Sequence, residues 1–536
     1  MKKILLILTF LVSFVSFSQE DAWVYFNDKP NSDAFFNNPL SELSQRALDR
    51  RTAQNIALFL NDAPLEATYV SQITDTPGIT VMARSKWLNC LHIRGSVTDI
   101  QSLLVFPFVN HVHFADNSLN SKMAIPATIS PVNKQLDVQV NFDYGTSANQ
   151  IQMLNGHLLH QANYTGTGKI IAVMDAGFPN VNTIAPFQRL RDNNQILGGY
   201  DYVNQSDNFY SGFDHGTMVL STMGGYVSGQ LVGTAPDAKY YLYITEDVAS
   251  ENPVEESNWV EAAEQADRVG VDIITTSLGY FAFDNGNYGH TYSDMTGNSA
   301  FASQGANIAF TKGIIVLASA GNEGNSSEPH VGVPAEAINV LAIGAVKADR
   351  SLASFSSVGP SFDGRIKPDV MAQGQSSILS DISGNIVAAS GTSFSCPIMA
   401  GMMACLWQVA PNLTNQQIID AYKQSCDRFS SPDNEYGYGI PDFELALTIA
   451  NLSSSEHKKD NFVVYPNPTS NSVSISFPDN YTNATVYFYN TLGQVLIEKT
   501  ISTSVSNVSL EALNSGVYFY KIESNSFTQS GKIIKE

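Results

Sequence analysis

Positive charge is scarce in this 536-residue chain, which carries 29 Lys and Arg against 50 Asp and Glu, a formal net charge of −21. A surface of this sign repels polyphosphates, which argues against nucleic acid as a partner. Cysteine is scarce as well, and four residues are too few for a disulfide framework. They are Cys90, Cys396, Cys405 and Cys426. Their spacing leaves open whether two of them form a bridge or all are buried free thiols.

Long apolar runs are missing after the first residues of the chain. Met1 to Ser18 combine two lysines, an apolar stretch from Ile4 to Val15 and small residues. This pattern predicts a secretory signal peptide over residues 1–18, with cleavage near Gln19. The stretch is shorter than the roughly 20 apolar residues of a membrane-spanning helix. We therefore expect export and no transmembrane segment in the mature chain.

What is present is enough apolar sequence, 43% of the residues, to build several cores, and the length predicts two to four domains. Residues 19–116 have the pattern of a small α+β domain. Its predicted elements are a helix from Ser41 to Arg51 capped by Ser41, strands Ile79–Ser85, Leu91–Arg94 and Val109–Phe114, and a helix from Ser96 to Leu104 with Ser96 and Asp99 as its capping box. Residues 117–144 are rich in Ser, Asn, Pro and Thr and are interpreted as a linker.

Residues 145–450 alternate between apolar strands and helices. The predicted strands are Ile170–Met174, Tyr240–Thr245, Val271–Ser277, Gly313–Ser319 and Val340–Val346, and the predicted helices include Glu255–Val269 and Ser299–Lys312. Apolar strands separated by helices predict an α/β fold, a parallel sheet covered by helices on both faces. Ligands bind such sheets at the carboxyl ends of the strands. Asp175, Ser277-Leu278-Gly279 and Asn322 each follow an apolar strand, so we expect the site there.

The end of the chain changes pattern again. Residues 451–461 are polar and are interpreted as a second linker. Residues 462–536 carry short strands with turn signals, which predict a small all-β sandwich. The predicted strands are Val473–Phe477, Thr485–Asn490, Gln494–Ile501, Val505–Leu510 and Val517–Glu523.

The stretch Gly391-Thr392-Ser393-Phe394-Ser395-Cys396-Pro397 leads into a run of small and apolar residues, Cys396 through Val409. The run predicts a buried helix with the Ser393 hydroxyl at its N-terminus. Free backbone N–H groups and the positive end of the helix dipole receive an oxyanion at such a place. Taken alone, Gly-Thr-Ser is also a common turn, so the interpretation depends on residues elsewhere.

Three candidates for acid–base chemistry occur in the chain order Asp175, His215, Ser393. A serine hydroxyl needs an imidazole to remove its proton, and the imidazole needs a carboxylate to fix its tautomer. Order alone is weak evidence, since a long chain contains many such triples. The local segments carry the assignment. They are Ile170-Ile171-Ala172-Val173-Met174-Asp175-Ala176-Gly177, Asp214-His215-Gly216-Thr217-Met218-Val219, Ser319-Ala320-Gly321-Asn322 and the stretch around Ser393.

In order and spacing these segments resemble the motifs of the subtilisin-like serine proteases (subtilases), over roughly Gly145 to Leu447. Further segments of the family pattern are Gly233-Thr234-Ala235-Pro236, Phe355-Ser356-Ser357-Val358-Gly359-Pro360, Lys367-Pro368-Asp369 and Tyr436-Gly437-Tyr438-Gly439-Ile440-Pro441-Asp442. The resemblance implies the subtilisin-like fold and a serine endopeptidase that hydrolyses polypeptides through an acyl-enzyme intermediate. It implies no cofactor for the chemistry itself.

The resemblance also implies roles for individual residues. Ser393 attacks the scissile carbonyl, His215 serves as general base and then acid, and Asp175 orients His215. Asn322 and the Ser393 backbone N–H donate to the oxyanion. The segments implied to hold the substrate backbone and line the first specificity pocket are Ser277-Leu278-Gly279 and Ala318-Ser319-Ala320.

Three positions depart from the usual family pattern. Ala176 stands where many subtilases have Ser or Thr, so one local hydroxyl is missing. Ser395-Cys396 stands where two smaller residues are commoner, and Ile398 where several relatives have histidine. No catalytic group is lost, so these changes bear on rate and pocket shape.

The flanking domains have resemblances of their own. Residues 19–116 stand where subtilases carry an inhibitory propeptide, and Ser44-Gln45-Arg46-Ala47-Leu48-Asp49-Arg50-Arg51 is similar to a stretch in secreted subtilases that carry a C-terminal sorting domain. Self-cleavage within Asn117–Val140 is a hypothesis. The C-terminal domain resembles the sorting domain of the type IX (Por) secretion system, on Val464-Tyr465-Pro466-Asn467-Pro468, Tyr489-Asn490-Thr491-Leu492-Gly493-Gln494 and Leu513-Asn514-Ser515-Gly516-Val517-Tyr518. This implies delivery to the outside or surface of a Gram-negative cell. An ordinary β-sandwich binding module is the alternative.

Other polar residues have ordinary explanations. Asp294, Gly297 and Asn298, or the loop Asp201–Asp214, offer oxygen ligands to a structural calcium ion, but a solvated acidic loop has the same composition. The histidines outside the motifs, His157, His160, His290 and His330, lack the spacing of a zinc site and are interpreted as surface or core residues. Glu255, Glu256 and Glu261 are predicted to lie on a solvated helix face.

Two other function classes stay open from the sequence. One is a serine esterase that uses the same site, although no Gly-x-Ser-x-Gly elbow surrounds Ser393. The other is a non-proteolytic surface protein that retains the fold. Such a protein is expected to have lost a catalytic residue, whereas all four are present.

Overall fold

The computed structural model describes residues 19–120, 141–456, 462–477, 481–490, 494–503, 506–524 and 527–535. The predicted signal peptide and most of the first predicted linker therefore lie outside the described residues. The chain forms two compact units, Met1–Asn451 and Leu452–Glu536. Among the described residues, no helix combines the length and the apolar character needed to cross a bilayer.

The N-terminal part of the first unit is a four-stranded antiparallel sheet with short helices. Its elements are β1 (Gln19–Phe26), α1 (Ser32–Asn37), α2 (Gln45–Ala53), α3 (Ala67–Thr74), β2 (Thr80–Ser85), β3 (Cys90–Ser96), α4 (Val97–Ser102) and β4 (Val109–Phe114). The strand order is β2-β3-β1-β4. Ser96 caps α4 as predicted, since its side chain accepts from the Asp99 N–H. The predicted cap of α2 was wrong: Ser44, not Ser41, accepts from the Ala47 N–H, and the helix begins three residues later than its periodicity suggested.

The rest of the first unit is built around a seven-stranded parallel sheet. Its elements are α5 (Ala148–Gln152), α6 (Gly156–Gln161), β5 (Ile170–Asp175), α7 (Gln188–Asp192), β6 (Ile196–Asp201), α8 (His215–Gly224), β7 (Tyr226–Val227), β8 (Leu231–Val232), β9 (Lys239–Ile244), α9 (Val254–Val269), β10 (Ile273–Thr276), α10 (Phe301–Thr311), β11 (Ile315–Ser319), β12 (Val340–Val346), β13 (Val370–Gln373), β14 (Ser377–Ser380), β15 (Ile386–Ala389), α11 (Thr392–Val409), α12 (Asn415–Gln424) and α13 (Phe443–Glu456). The order is β13-β12-β11-β10-β5-β9-β6, and every pair is parallel.

Both faces of this sheet are covered, as the apolar strands predicted. Successive side chains of a strand point to opposite faces. Along β5, Ile171 and Val173 join a core that includes residues of α8 and α11, whereas Ala172 and Met174 join a second core with residues of α9 and α10. The sheet therefore lies between two helical layers, and its carboxyl edge is the common end of β5, β9, β10 and β11.

One face of α9 contradicts the sequence expectation. Glu255 and Glu256 are buried, each only 1% exposed, where a solvated face was predicted. Glu255 accepts from the backbone N–H groups of Asp247 and Asn252, and Glu256 accepts from His290 Nε2 and the Ala302 N–H. Glu261 is half-buried. The helix is sandwiched between the central sheet and the N-terminal domain, so its outer face is also an interior surface.

The N-terminal domain packs on this α9 side and leaves charged groups enclosed. Arg50 and Arg51 of α2 both donate to the Asp267 carboxylate of α9, and all three side chains are almost fully buried. Asp62 of the N-terminal domain lies 2.9 Å from Lys312 Nζ, which follows α10. We call Arg50, Arg51, Asp62, Asp267 and Lys312 the arginine clamp.

The second unit is all β. Its strands are β16 (Val463–Tyr465), β17 (Ser472–Ser476), β18 (Asn483–Tyr489), β19 (Val495–Ser502), β20 (Asn507–Ser509), β21 (Gly516–Ser524) and β22 (Phe527–Lys535). They form antiparallel sheets of order β16-β17-β20 and β19-β18-β21-β22. Val473 and Ile475 of the first sheet and Val486 and Phe488 of the second share one buried core. The predicted sandwich is confirmed, with two further strands, β16 and β22, that the pattern did not reveal.

Candidate active site

Asp175 and His215 meet at the carboxyl edge of the sheet. Asp175 is the last residue of β5 and is fully buried, and His215 is the first residue of α8. The distance from His215 Nδ1 to Asp175 Oδ1 is 2.8 Å. A carboxylate only accepts, so Nδ1 is the protonated nitrogen of the neutral ring, and Nε2 is free to accept a proton. Gly216 permits this approach, since a Cβ there would lie 2.9 Å from the Asp175 Cβ.

The environment of His215 favours its charged form. Burial disfavours the imidazolium, but the Asp175 carboxylate and, more weakly, Asp214 outweigh it. The pKa of His215 therefore lies above its ordinary value of 6.5. The ring is thus a good proton acceptor that still keeps an accessible face to the cleft.

Ser393 lies in the first turn of α11, as the buried run predicted. Its neighbour Phe394 has a ring centroid 6.0 Å from that of His215, which brings the serine and the imidazole to the same cleft. Ser393 Oγ donates over 3.5 Å to the Ser277 carbonyl, and the described residues show no hydrogen bond from it to His215. In ligand-free sites such bonds are often long and shorten only when substrate binds.

Asn322 faces Ser393 from the end of β11. Its side-chain oxygen accepts from the Thr392 backbone N–H at 2.9 Å and lies 3.1 Å from the Thr392 hydroxyl. A backbone N–H cannot accept, so this contact settles which end of the amide is oxygen. The Nδ2 group, the donor end, is left without an acceptor among the described residues. Sequence reasoning predicted Asn322 but missed the orienting role of Thr392, for which the hydroxyl beside Ser393 was the signal.

The two predicted substrate segments follow adjacent strands. Thr276 of β10 pairs with Ala318 of β11, so Ser277-Leu278-Gly279 and Ala318-Ser319-Ala320 lie side by side at the carboxyl edge. Gly279 is exposed, whereas Ala318 and Ala320 are fully buried. The structure therefore brings both segments to the cleft that holds Ser393.

The missing hydroxyl at position 176 has a visible effect. Asp175 Oδ1 accepts from His215 and from the Ala176 N–H, both at 2.8 Å. The buried Oδ2 has no hydrogen-bond partner among the described residues. Buried carboxylate oxygens are normally hydrogen-bonded, so Oδ2 is an exception, and Ala176 has no hydroxyl to offer it.

All four cysteines are buried free thiols, which decides between the two alternatives left by their spacing. Cys396, in the second turn of α11, contacts the Thr275 hydroxyl at 3.5 Å. Burial raises its pKa to about 12, so the thiol stays protonated and unreactive at neutral pH. It packs under the nucleophile segment without chemistry of its own.

The side chains that were candidates for calcium ligands accept hydrogen bonds from neighbouring residues of the chain. Asp294 Oδ2 accepts from the Thr291 N–H and hydroxyl, and the Asn298 side-chain oxygen accepts from Asn307. In the other loop, both carboxylate oxygens of Asp201 accept hydrogen bonds from Asn204, one from its backbone N–H and one from its side chain. Within the described ranges, no three His, Cys, Asp or Glu side chains are grouped as metal ligands. A structural calcium ion stays a prediction without assigned residues.

The histidines outside the site have structural partners. His160 is buried between the Tyr144 hydroxyl and the Thr234 carbonyl, and His290 pairs with Glu256. His330 stacks on Tyr292 with ring centroids 3.9 Å apart, and His157 is half-buried.

Three family profiles match the chain. One described as the subtilase family covers residues 166–439, and one described as a peptidase S8 propeptide domain of Bacteroidota covers residues 21–130. A third, described as a secretion system C-terminal sorting domain, covers residues 463–536.

Individual relatives agree with these profiles. Subtilisin NAT of Bacillus subtilis subsp. natto is 31% identical over 304 residues, which span 55% of this chain and 70% of the relative. Subtilisin of Bacillus pumilus is 31% identical over the same share of this chain and 97% of its own length. Serine protease AprX of Bacillus subtilis (strain 168) is 28% identical over 62% of this chain and 77% of its own.

Proposed function

Because the chain belongs to the subtilase family and is a serine-type endopeptidase, we propose that Asp175, His215 and Ser393 are its catalytic triad and Asn322 its oxyanion donor. It is a secreted or cell-surface protein of a Gram-negative Bacteroidota, made with a propeptide domain and a sorting domain. The observation that carries the proposal is the 2.8 Å bond from His215 Nδ1 to Asp175, which leaves Nε2 as the base in the cleft beside Ser393.

In the acylation step, His215 Nε2 removes the hydroxyl proton of Ser393 while Oγ attacks the scissile carbonyl carbon. The C–O bond forms, and the carbonyl π electrons move to the oxygen. Asn322 Nδ2 and the Ser393 backbone N–H donate to this oxyanion. The imidazolium, stabilised by Asp175, then gives its proton to the amide nitrogen as the C–N bond breaks. An acyl-enzyme and a free amine result.

In the deacylation step, a water molecule replaces the amine. His215 takes one of its protons, the hydroxide oxygen attacks the ester carbon, and the oxyanion forms again in the same place. Collapse breaks the bond to Ser393 Oγ, which recovers its proton from His215. The product is a carboxylate and the enzyme is unchanged.

The substrate backbone is proposed to lie along Ser277-Leu278-Gly279 and Ala318-Ser319-Ala320. Ser277-Leu278-Gly279 follows β10 beyond its last pair, Thr276 with Ala318, which leaves main-chain groups for an added strand, whereas Ala318 and Ser319 are still paired within the sheet. Main-chain pairing accepts many sequences, as an endopeptidase for extended polypeptides requires.

The decisive experiment compares casein hydrolysis by the processed wild type, S393A and N322A, with S383A as the matched control. Ser383 is an exposed serine ten residues before the nucleophile. We expect S393A to lose hydrolysis and N322A to lose about 10²–10³-fold in kcat, the usual cost of one oxyanion donor. S383A should be unchanged. Equal activity in S393A and the wild type would overturn the assignment of the nucleophile.

Two further parts of the proposal concern the flanking domains. We propose that the enzyme cleaves itself within Asn117–Val140 and that the type IX machinery recognises the C-terminal domain. N-terminal sequencing should give a longer chain for S393A than for the wild type. Cells that express a chain truncated after residue 461 should retain the protease activity that the full chain delivers to the medium or surface.

A further inference from the structure

The sheet edge beyond Asp175 carries polar groups that the mechanism does not use. β9 lies next to β5, and the Thr245 N–H, just after β9, donates to the Asp175 carbonyl at 3.1 Å. Glu246 follows Thr245. On the other side of β5, Tyr280 directly follows the proposed substrate segment Ser277-Leu278-Gly279. These three residues therefore flank the strand that ends at Asp175, on its two sides.

Their polar atoms are enclosed but unsatisfied. Thr245 is fully buried and Tyr280 is 1% exposed. Thr245 Oγ1, Glu246 Oε2 and the Tyr280 hydroxyl make no hydrogen bond of ordinary length and angle to any described residue, although the two hydroxyls face each other. Native proteins leave few buried polar atoms without partners, because each costs about 1–3 kcal/mol. Three such atoms at one edge of the sheet indicate a binding site for a group that is not part of the chain.

The charged groups around these atoms are carboxylates. Burial and then the carboxylates of Glu255 and Glu251 raise the pKa of Glu246 well above its usual range. Burial likewise raises the pKa of Glu255 to about 8. Among the described residues, no Lys or Arg forms a salt bridge with Glu246, Asp247, Glu251 or Glu255.

Several other buried carboxylates of the same unit do have cationic partners. Asp267 has Arg50 and Arg51, and Asp369 has Lys367 and Lys423. Glu256, one residue from Glu255, is paired with His290. The charge that faces Glu246 is therefore unbalanced, unlike that of Asp267, Asp369 and Glu256.

We propose that Thr245, Glu246 and Tyr280 form a subsite for a cationic group of the polypeptide substrate, within a few residues of the scissile bond. The subsite deepens the proposed endopeptidase function and rests on it. A substrate ammonium has three N–H donors, and the three orphan oxygens supply one carboxylate and two hydroxyl acceptors. A guanidinium satisfies the same set with its planar fork.

A divalent metal fits this place less well. Glu255 uses its two carboxylate oxygens on the Asp247 and Asn252 N–H groups, and Glu256 is held by His290 and Ala302. Of Glu246, Glu255 and Glu256, that leaves Glu246 as the one with a free buried oxygen, whereas calcium takes six to eight oxygen ligands. One negative charge with two hydroxyls suits a monovalent organic cation.

The test profiles the processed enzyme on two fluorogenic peptide libraries that differ only at the N-terminus, acetylated in one and free in the other. In the acetylated library the cation is a Lys or Arg side chain. In the library with free N-termini the α-ammonium group is a second possible cation. Wild type is compared with the isosteric E246Q and with E435Q, which removes an exposed carboxylate of equal charge. Thermal unfolding confirms that each variant is folded.

We expect kcat/KM to be at least about 10-fold higher for a cationic peptide than for its neutral analogue at one position. E246Q should lose this ratio, whereas both values for E435Q should stay within about twofold of the wild type. If kcat/KM is higher for the cationic peptide only in the library with free N-termini, the α-ammonium is the cation that binds. The subsite proposal would be wrong if the wild type showed no preference for cationic peptides in either library, or if E246Q kept the preference. Neither result would contradict the proposed endopeptidase function. Failure to cleave any peptide would overturn the proposed function, and the subsite with it.

Discussion

The Ser277 hydroxyl donates to the backbone carbonyl of Ser393 at 2.8 Å. In a regular helix this carbonyl accepts from the N–H four residues later, but that residue is Pro397, which has no N–H. The buried carbonyl would be unsatisfied without Ser277. A side chain after β10 therefore completes the first turn of α11 and holds the Ser393 backbone in place.

The first prediction follows from this bond. S277A should lower kcat by about tenfold, because a lost hydrogen bond worth about 0.5–1.5 kcal/mol no longer holds the Ser393 backbone in place. P397A restores an N–H at the fourth position, so the S277A/P397A protein should recover most of the loss. Steady-state kinetics of the four proteins of this cycle measure the effect. Additive losses in the double variant would contradict the role given to Pro397.

A second prediction concerns pH. His215 must be neutral to act as base, and Asp175 holds its pKa above 6.5 despite burial. Activity should therefore rise with pH through a midpoint above 6.5 and be lost as pH falls below it. In D175N the carboxylate is gone, so kcat should fall steeply and the midpoint of kcat/KM should shift to lower pH. A wild-type midpoint at or below 6.5 would argue that the Asp175–His215 pair does not set the acid limb.

A third prediction concerns Ala176. A176S adds a hydroxyl to the residue next to Asp175, whose buried Oδ2 has no hydrogen-bond partner among the described residues. A hydrogen bond there favours the charged carboxylate and stabilises the orientation of the pair. We expect the melting temperature to rise by a few degrees, as about 1 kcal/mol would give in a domain of this size. A176G is the control for backbone effects and should not show the gain. A lower melting temperature in A176S would indicate that a bound water already satisfies Oδ2.

A fourth prediction concerns the arginine clamp. Asp267 is the shared acceptor of Arg50 and Arg51, and removing one partner of a buried ion pair costs about 3–5 kcal/mol. In an S393A background, D267N should make the N-terminal domain susceptible to added trypsin much sooner than in the parent. D33N, a change at an exposed carboxylate of the same domain, is the control. Equal digestion rates in D267N and D33N would show that the clamp does not hold the domain in place.

The placement of the candidate site residues at one sheet edge was predictable from the sequence, because they lie in short contiguous segments that follow strands or begin helices. Asp175, His215, Ser393 and Asn322 each follow a strand or begin a helix, and the parallel-sheet rule already places such residues at one edge. The roles of Thr392 and Ser277 were not predictable. Their contacts depend on how far the ends of β10 and β11 approach α11, which local sequence does not specify.

The burial of charged residues was the least accurate part of the prediction. Glu255 and Glu256 have the spacing of an exposed face, yet both are buried, because their partners come from a loop and from α10. Burial here is decided by the segments that cover the start of α9, which are the loop at 247–252, His290 and the first turn of α10. The helical pattern of α9 does not show these tertiary partners. The cap of α2 failed for a related reason: Ser44 is fixed by the Arg268 carbonyl of α9, a tertiary contact.

The residues of the arginine clamp lie on α2, at Asp62, on α9 and just after α10, all outside the predicted processing region. A cut within Asn117–Val140 changes connectivity but breaks none of the clamp's ion pairs. It converts the tethered N-terminal domain into a separate ligand, so its effective concentration falls from about millimolar to the concentration of the enzyme itself. Release then obeys mass action: a concentrated sample retains the domain, and a diluted one loses it. The onset of activity would accordingly depend on how widely the protein spreads after it leaves the cell, in addition to when it is cleaved.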